Sequence, residues 1–141
     1  MDEQELGGGG APGAFERRVP IRWRDMDAFG HVNNAVYLTY IEEAHDEFLA
    51  GTVGDGDGES HVVMARVEMD FLAPLTQDDD HVVVSCRLES LGNSSIRTVE
   101  EIVAADGRTA ARSRSVMVKV ERGSGRSLPL SPTEREALSG P

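Results

Sequence analysis

The sequence is short of cysteine, of basic residues and of long apolar runs, and each shortage removes a class of protein. Cys86 is the one cysteine in 141 residues, so no disulfide can staple the chain to itself, and the sequence fits a reducing compartment. Lys and Arg number 14 against 25 Asp and Glu, a formal charge of −11 at pH 7, which excludes a generally basic nucleic-acid binder. No uninterrupted apolar run reaches about 18 residues. The opening MDEQELGGGGAPGAF holds acids and glycines where a signal peptide needs a basic and then an apolar stretch. The expectation is a soluble, cytoplasmic protein with no membrane insertion and no nucleic-acid partner. His31, His45, His61 and His81 are scattered without ligand spacing, and no nucleotide-cofactor motif or internal repeat is visible. No metal or resident cofactor is expected.

What is present is unevenly spread. Thirteen acids fall in four stretches free of Lys and Arg, at 2–5, 42–47, 55–59 and 78–80, which leaves 12 acids against all 14 basic residues. The acidic stretches read as solvated surface, and the near-neutral remainder does not exclude an anionic ligand. Residues 1–13 hold five glycines and almost nothing able to bury, which predicts a disordered leader. A domain over 14–121 and a polar tail over 122–141, with a short helical turn at 133–138, complete the expected organisation.

Within the domain the periodicity changes once. Phe15, Val19, Ile21 and Trp23 alternate partly with charged residues, predicting a first strand over 14–24, and Pro20 assigns it to a sheet edge or a bulge. From Ala35 to Leu49 the spacing is helical, with Val36, Tyr37, Tyr40, Ile41, Ala44 and Phe48 on one stripe and Glu42, Glu43, Asp46 and Glu47 away from it. Asn33 or Asn34 is suited to cap this helix and Gly51 to end it. The acidic loop 51–60 resembles a calcium loop only faintly, lacking the later bidentate Glu, and is read as mobile. Strand patterns then run over 61–72, 81–90, 95–104 and 109–121, joined by short connections such as Asp106-Gly107, so consecutive antiparallel strands are expected. One helix with an apolar stripe needs a sheet to cover it, and an open sheet has edges that a second copy can hide. The fold class is α+β, an antiparallel sheet of five or six strands wrapped around one long helix, and the unit is a dimer.

The chemistry concentrates in residues 22–38, RWRDMDAFGHVNNAVYL. Asp25 and Asp27, then Gly30, His31, Asn33 and Asn34, precede a helix start, where free N–H groups and the positive end of the dipole favour a developing negative charge. A carboxylate beside oxyanion donors is what acyl transfer to water requires. Asp-x-Asp-x-x-Gly-His-Val-Asn-Asn followed by x-x-Tyr-Leu resembles the signature of the hotdog-fold acyl-CoA thioesterases of the 4-hydroxybenzoyl-CoA thioesterase type. ARVEMDFLAPLTQDD at 65–79 resembles that family's second strand and Pro-rich turn. The similarity spans about residues 15–121.

The resemblance implies a thioesterase that converts acyl-CoA to free acid and CoA, working as a homodimer or homotetramer, with coenzyme A entering only as part of the substrate. It implies Asp27 as general base or nucleophile and the N–H at about Asn34 as the group that polarises the thioester carbonyl. His31 and Asn33 match the His-Val-Asn-Asn form shared with plant acyl-carrier-protein thioesterases, although Phe29 stands where that pattern has Asn. Another departure is Gln77-Asp78 in place of the usual Gly-Asp. Gly30 is expected to let the loop approach substrate, and Tyr37 and Arg66 are further candidates for binding it. Each residue also has a plainer reading: Asp27, Asn33 and Asn34 as caps, His31 as a brace for the loop, Tyr37 as core, Arg66 as solvent-facing, Cys86 as a buried thiol, and Asp25 as the structural partner of Arg24 or Arg66. An acyl-carrier-protein thioesterase and a non-catalytic acyl-binding subunit are the alternatives to the acyl-CoA enzyme.

Overall fold

The computed structural model describes residues 14–54 and 58–140. The expected leader over 1–13 and the centre of the acidic loop, 55–57, lie outside the described residues. Five strands form one antiparallel sheet: β1 (Ala14–Pro20), β2 (Ser60–Phe71), β3 (His81–Leu91), β4 (Ser95–Ala104) and β5 (Thr109–Glu121), in the order β1-β3-β4-β5-β2. Helix α1 (Asn34–Leu49) crosses the sheet face, packing on β1, β3 and β4, and a short α2 (Pro132–Ser139) follows β5.

The period-two burial of the sheet supplies one wall of the core and the stripe of α1 the other. Val82, Val84 and Cys86 of β3 and Ile102 and Ala104 of β4 point inward against Tyr37, Tyr40, Ile41 and Ala44 of the helix. His45 is buried beside them, although the helical stripe read from the sequence leaves it out. Asn33 takes the capping role, its Oδ1 accepting the Ala35 N–H at 2.9 Å. The helix closes at Ala50, with Gly51 at φ +75° just beyond, a conformation that suits glycine.

Three expectations change. First, β1 stops at Pro20, and Trp23–Asp25 forms a 3-10 turn that leaves Trp23 exposed. The Asp25 carboxylate closes this turn by accepting the Arg22 N–H at 2.8 Å and the Arg22 guanidinium at 3.0 Å. Second, only β3, β4 and β5 follow one another across the sheet; β2 pairs with β5 at one edge and β1 with β3 at the other. The chain between β2 and β3 therefore crosses the molecule as a strap, 72–80, which buries Leu75 and accepts the Val32 N–H on its carbonyl at 2.7 Å.

Third, the described part of the polar C-terminal segment, 122–140, contributes buried side chains. Leu130 and Leu138 join Val53, Ile96 and Met117 in a second apolar cluster. Helix α2 starts with a capping box at Ser131 and Glu134, and Lys119 reaches Glu134 at 2.8 Å. The sequence signal for α2 was its Ser-Pro-x-Glu start, but its short length hid how much it buries.

Candidate active site

The strap and the helix start meet at an open cleft of about 390 Å³, bordered by Asp27, His31, Asn33, Asn34, Tyr37 and Pro74, with Phe29 at its rim. Its shape comes from a tight turn over 27–30. The Asp27 N–H donates to the His31 carbonyl at 2.9 Å, the Gly30 N–H donates to the Asp27 carbonyl at 3.1 Å, and Met26 bridges Val32. Gly30 sits at φ +83° with nothing within 4 Å of the place a Cβ would take, so backbone conformation, not close approach of another group, calls for glycine there.

Asp27 is half-buried, and its Oδ1 accepts the Phe29 N–H at 2.9 Å. Among the described residues no other donor reaches this carboxylate. At the helix start, Ala35 N–H is taken by the Asn33 side chain and Val36 N–H by the Asn33 carbonyl, whereas the Asn34 N–H has no acceptor among the described residues. A carboxylate and a free amide donor thus border the same cleft, and together they can handle a proton and a developing oxyanion.

The remaining candidates separate cleanly. His31 lines the cleft, and its backbone carbonyl braces the loop by accepting the Asp27 N–H. Asn33 caps the helix and also borders the cleft. Tyr37 is both core and wall: it is buried, its hydroxyl donates to the Ala73 carbonyl at 3.0 Å, and burial raises its pKa. Gly30 shapes the turn without lining the cleft. Arg66 is not brought to this place. It lies on the outer face of β2, exposed, 3.4 Å from Glu68, in a separate small cleft with Glu89, Arg97 and Arg114. Asp25, two residues before Asp27, is structural, and its partner is Arg22 together with the Tyr40 hydroxyl at 2.8 Å, not Arg24 or Arg66. Burial alone would raise the Asp25 carboxyl; the Arg22 N–H, the Tyr40 hydroxyl and the Arg22 guanidinium outweigh it and hold it below its ordinary value.

Two features escape a reading of the sequence. One is a second cleft of about 210 Å³ that shares Asn34, Tyr37 and Pro74 with the first and continues to Phe71, Leu72 and Ala73. The apolar pair before Pro74 was its only trace. The other is a buried polar cluster between α1 and the sheet, where one ligand atom each of His45, Cys86 and Glu100 lie within 4.8 Å of one another. Glu100 accepts Ser113 Oγ at 2.6 Å and Ser115 Oγ at 2.8 Å on one oxygen, and Thr98 Oγ1 at 2.5 Å on the other, where His45 Nε2 lies at 3.0 Å. Burial would raise this carboxyl, but His45, Ser113 and Thr98 outweigh it and hold it below the ordinary range, while burial pushes the Cys86 thiol up. With both oxygens occupied by donors, Glu100 reads as a satisfied core anion, and Cys86 is the inert buried thiol its apolar strand suggests.

Known proteins share this architecture. A Thermus thermophilus thioesterase, solved in complex with coenzyme A and Zn, is 39% identical, with a TM-score of 0.77 over 87% of this chain and 90% of that one. The PA5185 protein of Pseudomonas aeruginosa is 29% identical, with a TM-score of 0.78 over 88% of each chain. A chloroplastic acyl-acyl carrier protein thioesterase of Arabidopsis thaliana, ATL3, is 35% identical over 82 residues, which are 55% of this chain and 43% of that protein, so less than half of its length is matched. The family model of the thioesterase-like superfamily matches residues 21–138, covering the turn, the helix, all of β2 to β5 and most of α2. With its helix wrapped by an antiparallel sheet in the hotdog arrangement, the chain belongs to the thioesterase-like superfamily.

Proposed function

We propose that the protein hydrolyses acyl-CoA thioesters to the free acid and CoA. One observation carries the reading: the Asp27 carboxylate, fixed through one oxygen by the Phe29 N–H, borders the same cleft as the unpaired Asn34 N–H at the start of α1. The thioester carbonyl oxygen sits at the Asn34 N–H, where the helix dipole adds to the hydrogen bond. In the general-base route Asp27 takes a proton from water as its oxygen bonds to the carbonyl carbon, and the tetrahedral oxyanion then expels CoA as thiolate, which receives a proton. In the nucleophilic route Asp27 bonds to the carbonyl carbon itself, CoA leaves, and water cleaves the mixed anhydride. His31 lines the path, and Asn33 holds the helix start in register. Coenzyme A enters with the substrate, and no further cofactor is called for.

The working unit in this reading is a homodimer or homotetramer. The β2 edge, twelve residues long and with no strand paired on its outer side among the described residues, is the natural place for two copies to pair. No helix of the described residues is long and apolar enough to cross a membrane, and the single buried cysteine suits a cytoplasmic setting. A carrier-protein thioester is the second reading, favoured by the 35% identity to the Arabidopsis enzyme.

The test is free-thiol release from short, long and aromatic acyl-CoAs by the native chain and by Asp27→Asn. A loss of about 100-fold or more with folding unchanged is expected, since a positioned acid or base contributes about 10²–10⁴-fold. Equal release by both proteins removes Asp27 from the mechanism. No release from any CoA ester by either protein rejects the acyl-CoA reading in favour of a carrier-bound substrate or a binding role.

A further inference from the structure

The Asp27 cleft has one wall, Pro74, that comes from outside the 27–37 segment, and that wall belongs to the strap between β2 and β3. The strap is tied to the turn and to α1 at two points: the Leu75 carbonyl accepts the Val32 N–H at 2.7 Å, and the Ala73 carbonyl accepts the Tyr37 hydroxyl at 3.0 Å. Its own support lies where β4 turns into β5. The Ala110 carbonyl accepts the Leu72 and Ala73 N–H groups, and beyond Ala73 the grip passes to Arg108. Arg108 Nη1 donates to the Pro74 carbonyl at 3.3 Å and Nη2 to Asp79 Oδ1 at 2.7 Å, while Nε lies 3.4 Å from Asp106 of its own turn. The second Asp79 oxygen accepts the Thr76 N–H at 2.9 Å. One guanidinium therefore holds both ends of the strap, and its carboxylate partner closes the strap's internal turn. The next residue, Asp80, sits at φ +70°, a costly conformation for a side chain with a Cβ, which persists only where surrounding contacts over-determine it. The Asp79–Arg108 pair is one such contact beside it.

We propose that Arg108 is a positioning residue for thioester hydrolysis: by gripping Pro74 and Asp79 it fixes the strap, and through the Leu75–Val32 hydrogen bond the strap fixes the turn that sets the Asp27 carboxylate against the Asn34 N–H. The chemistry in this inference rests on the thioesterase reading of the Asp27 cleft; the mechanical link from Arg108 to Val32 does not. Arg108 itself is not among the residues that border the cleft. Val32 lies in sequence between Asp27 and Asn34, so a slipping anchor at Val32 changes the separation of the two reacting groups. Catalysis is intolerant of such a change, since a misplacement of about 1 Å caused far from the chemistry costs on the order of 100-fold. The planar fork of an arginine suits the task of holding a carbonyl and a carboxylate at once, whereas a lysine offers a point charge on a flexible stem.

The experiment pairs steady-state kinetics on the acyl-CoA that the native full chain hydrolyses fastest with amide hydrogen exchange at Val32. The variants are Arg108→Ala, Arg108→Lys, Asp79→Asn and the double variant of Arg108→Ala with Asp79→Asn. Arg126→Ala, which removes an exposed arginine 3.7 Å from Glu121, is the control. Thermal melts establish that each protein is folded at the assay temperature. Arg108→Ala is expected to lower kcat roughly tenfold while KM moves less than about twofold, because a group outside the cleft adds nothing to ground-state binding. Arg108→Lys should fall between the native chain and Arg108→Ala, and Arg126→Ala should match the native chain. The double variant should lose no more than Arg108→Ala alone, since the two residues act as one clamp. In Arg108→Ala the Val32 amide is expected to exchange roughly tenfold faster, with the amides of the central strands β3 and β4 still protected. Unchanged Val32 exchange overturns the proposal, as do a loss carried by KM alone and losses that simply add in the double variant. Hydrolysis that Arg108→Ala retains in full sinks the positioning role alone. A native chain that hydrolyses no ester, beside a Val32 amide released by Arg108→Ala, sinks the thioesterase reading and leaves the mechanical link standing.

Discussion

Glu100 offers the sharpest test of how this fold is held together. It lies 1% exposed on the inner row of β4 and collects three hydroxyl donors from β4 and β5, with the His45 ring of α1 at 3.0 Å. Glu100→Ala strands Thr98, Ser113, Ser115 and His45 together in a dry interior. Removing one partner from a buried ionic cluster costs about 3–5 kcal/mol, a large share of the roughly 5–15 kcal/mol that holds a domain folded. For a chain of this size the melting temperature is expected to fall by roughly 10 °C. Glu100→Gln keeps the shape and one acceptor oxygen, so its cost is expected to be about 1–2 kcal/mol. Acid provides an independent reading. The folded carboxyl titrates below its ordinary 4.5, so the stability it contributes is fully present at neutral pH and is lost as pH falls from about 4.5 through the lower folded value. Urea unfolding of native protein, Glu100→Gln and Glu100→Ala, at one fixed protein concentration and at a series of pH values, measures both effects. A cost below about 1 kcal/mol for Glu100→Ala would refute the argument. A gap between native protein and Glu100→Gln that fails to narrow on acidification would refute it too.

Two further expectations concern the turn and the C-terminal segment. Gly30→Ala meets no steric obstacle, so its cost is that of forcing a side chain into φ +83°, about 1–2 kcal/mol. Gly30→Asn should be milder, and a melting series that ranks the two the other way contradicts this account. Leu138→Ala empties a site 2% exposed in the second cluster and should cost about 2–5 kcal/mol, whereas Glu136→Ala on the exposed side of α2 should stay within about 0.5 kcal/mol. Equal and negligible effects in denaturation would mean that the segment does not pack as described.

The parts of the fold that follow from periodicity were legible. The stripe from Val36 to Phe48 gives the helix, and the Val-rich runs give β2 to β5 within a residue or so, because each buries one face. What periodicity cannot carry is which strand neighbours which. β2 pairs with β5 and not with β3, and the strap that joins β2 to β3 across the sheet is anchored by Leu75, one apolar residue beside turn-formers that carries no periodic signal. Glu100 was invisible for another reason: in sequence it is one of the acids of TVEEIVA, and only the alternation of β4 decides that Glu100 turns inward and Glu101 outward to meet Arg112 at 2.8 Å. Arg66 shows the converse, since an arginine on a strand near the motif in sequence lies on the opposite face from the cleft in space.

The site itself turns on how two aspartates two residues apart come to differ. On an extended strand Asp25 and Asp27 would face the same way and share one environment. The 3-10 turn at Trp23–Asp25 breaks that equivalence. It rotates Asp25 inward, where Arg22 and Tyr40 saturate it, and its backbone carbonyl accepts the Asn33 N–H at 3.0 Å, tying the turn to the residue that caps α1. Asp27 is left on the cleft with one oxygen fixed and the other without a donor among the described residues. A carboxylate already saturated by an arginine is a poor base, because its proton affinity has been spent on the pair; one held by a single amide has an oxygen left to meet a ligand while losing its freedom to rotate. The buried aspartate thus fixes the start of α1, and the half-buried one is left on the cleft. The division of labour follows from a three-residue turn, not from any difference between the two side chains.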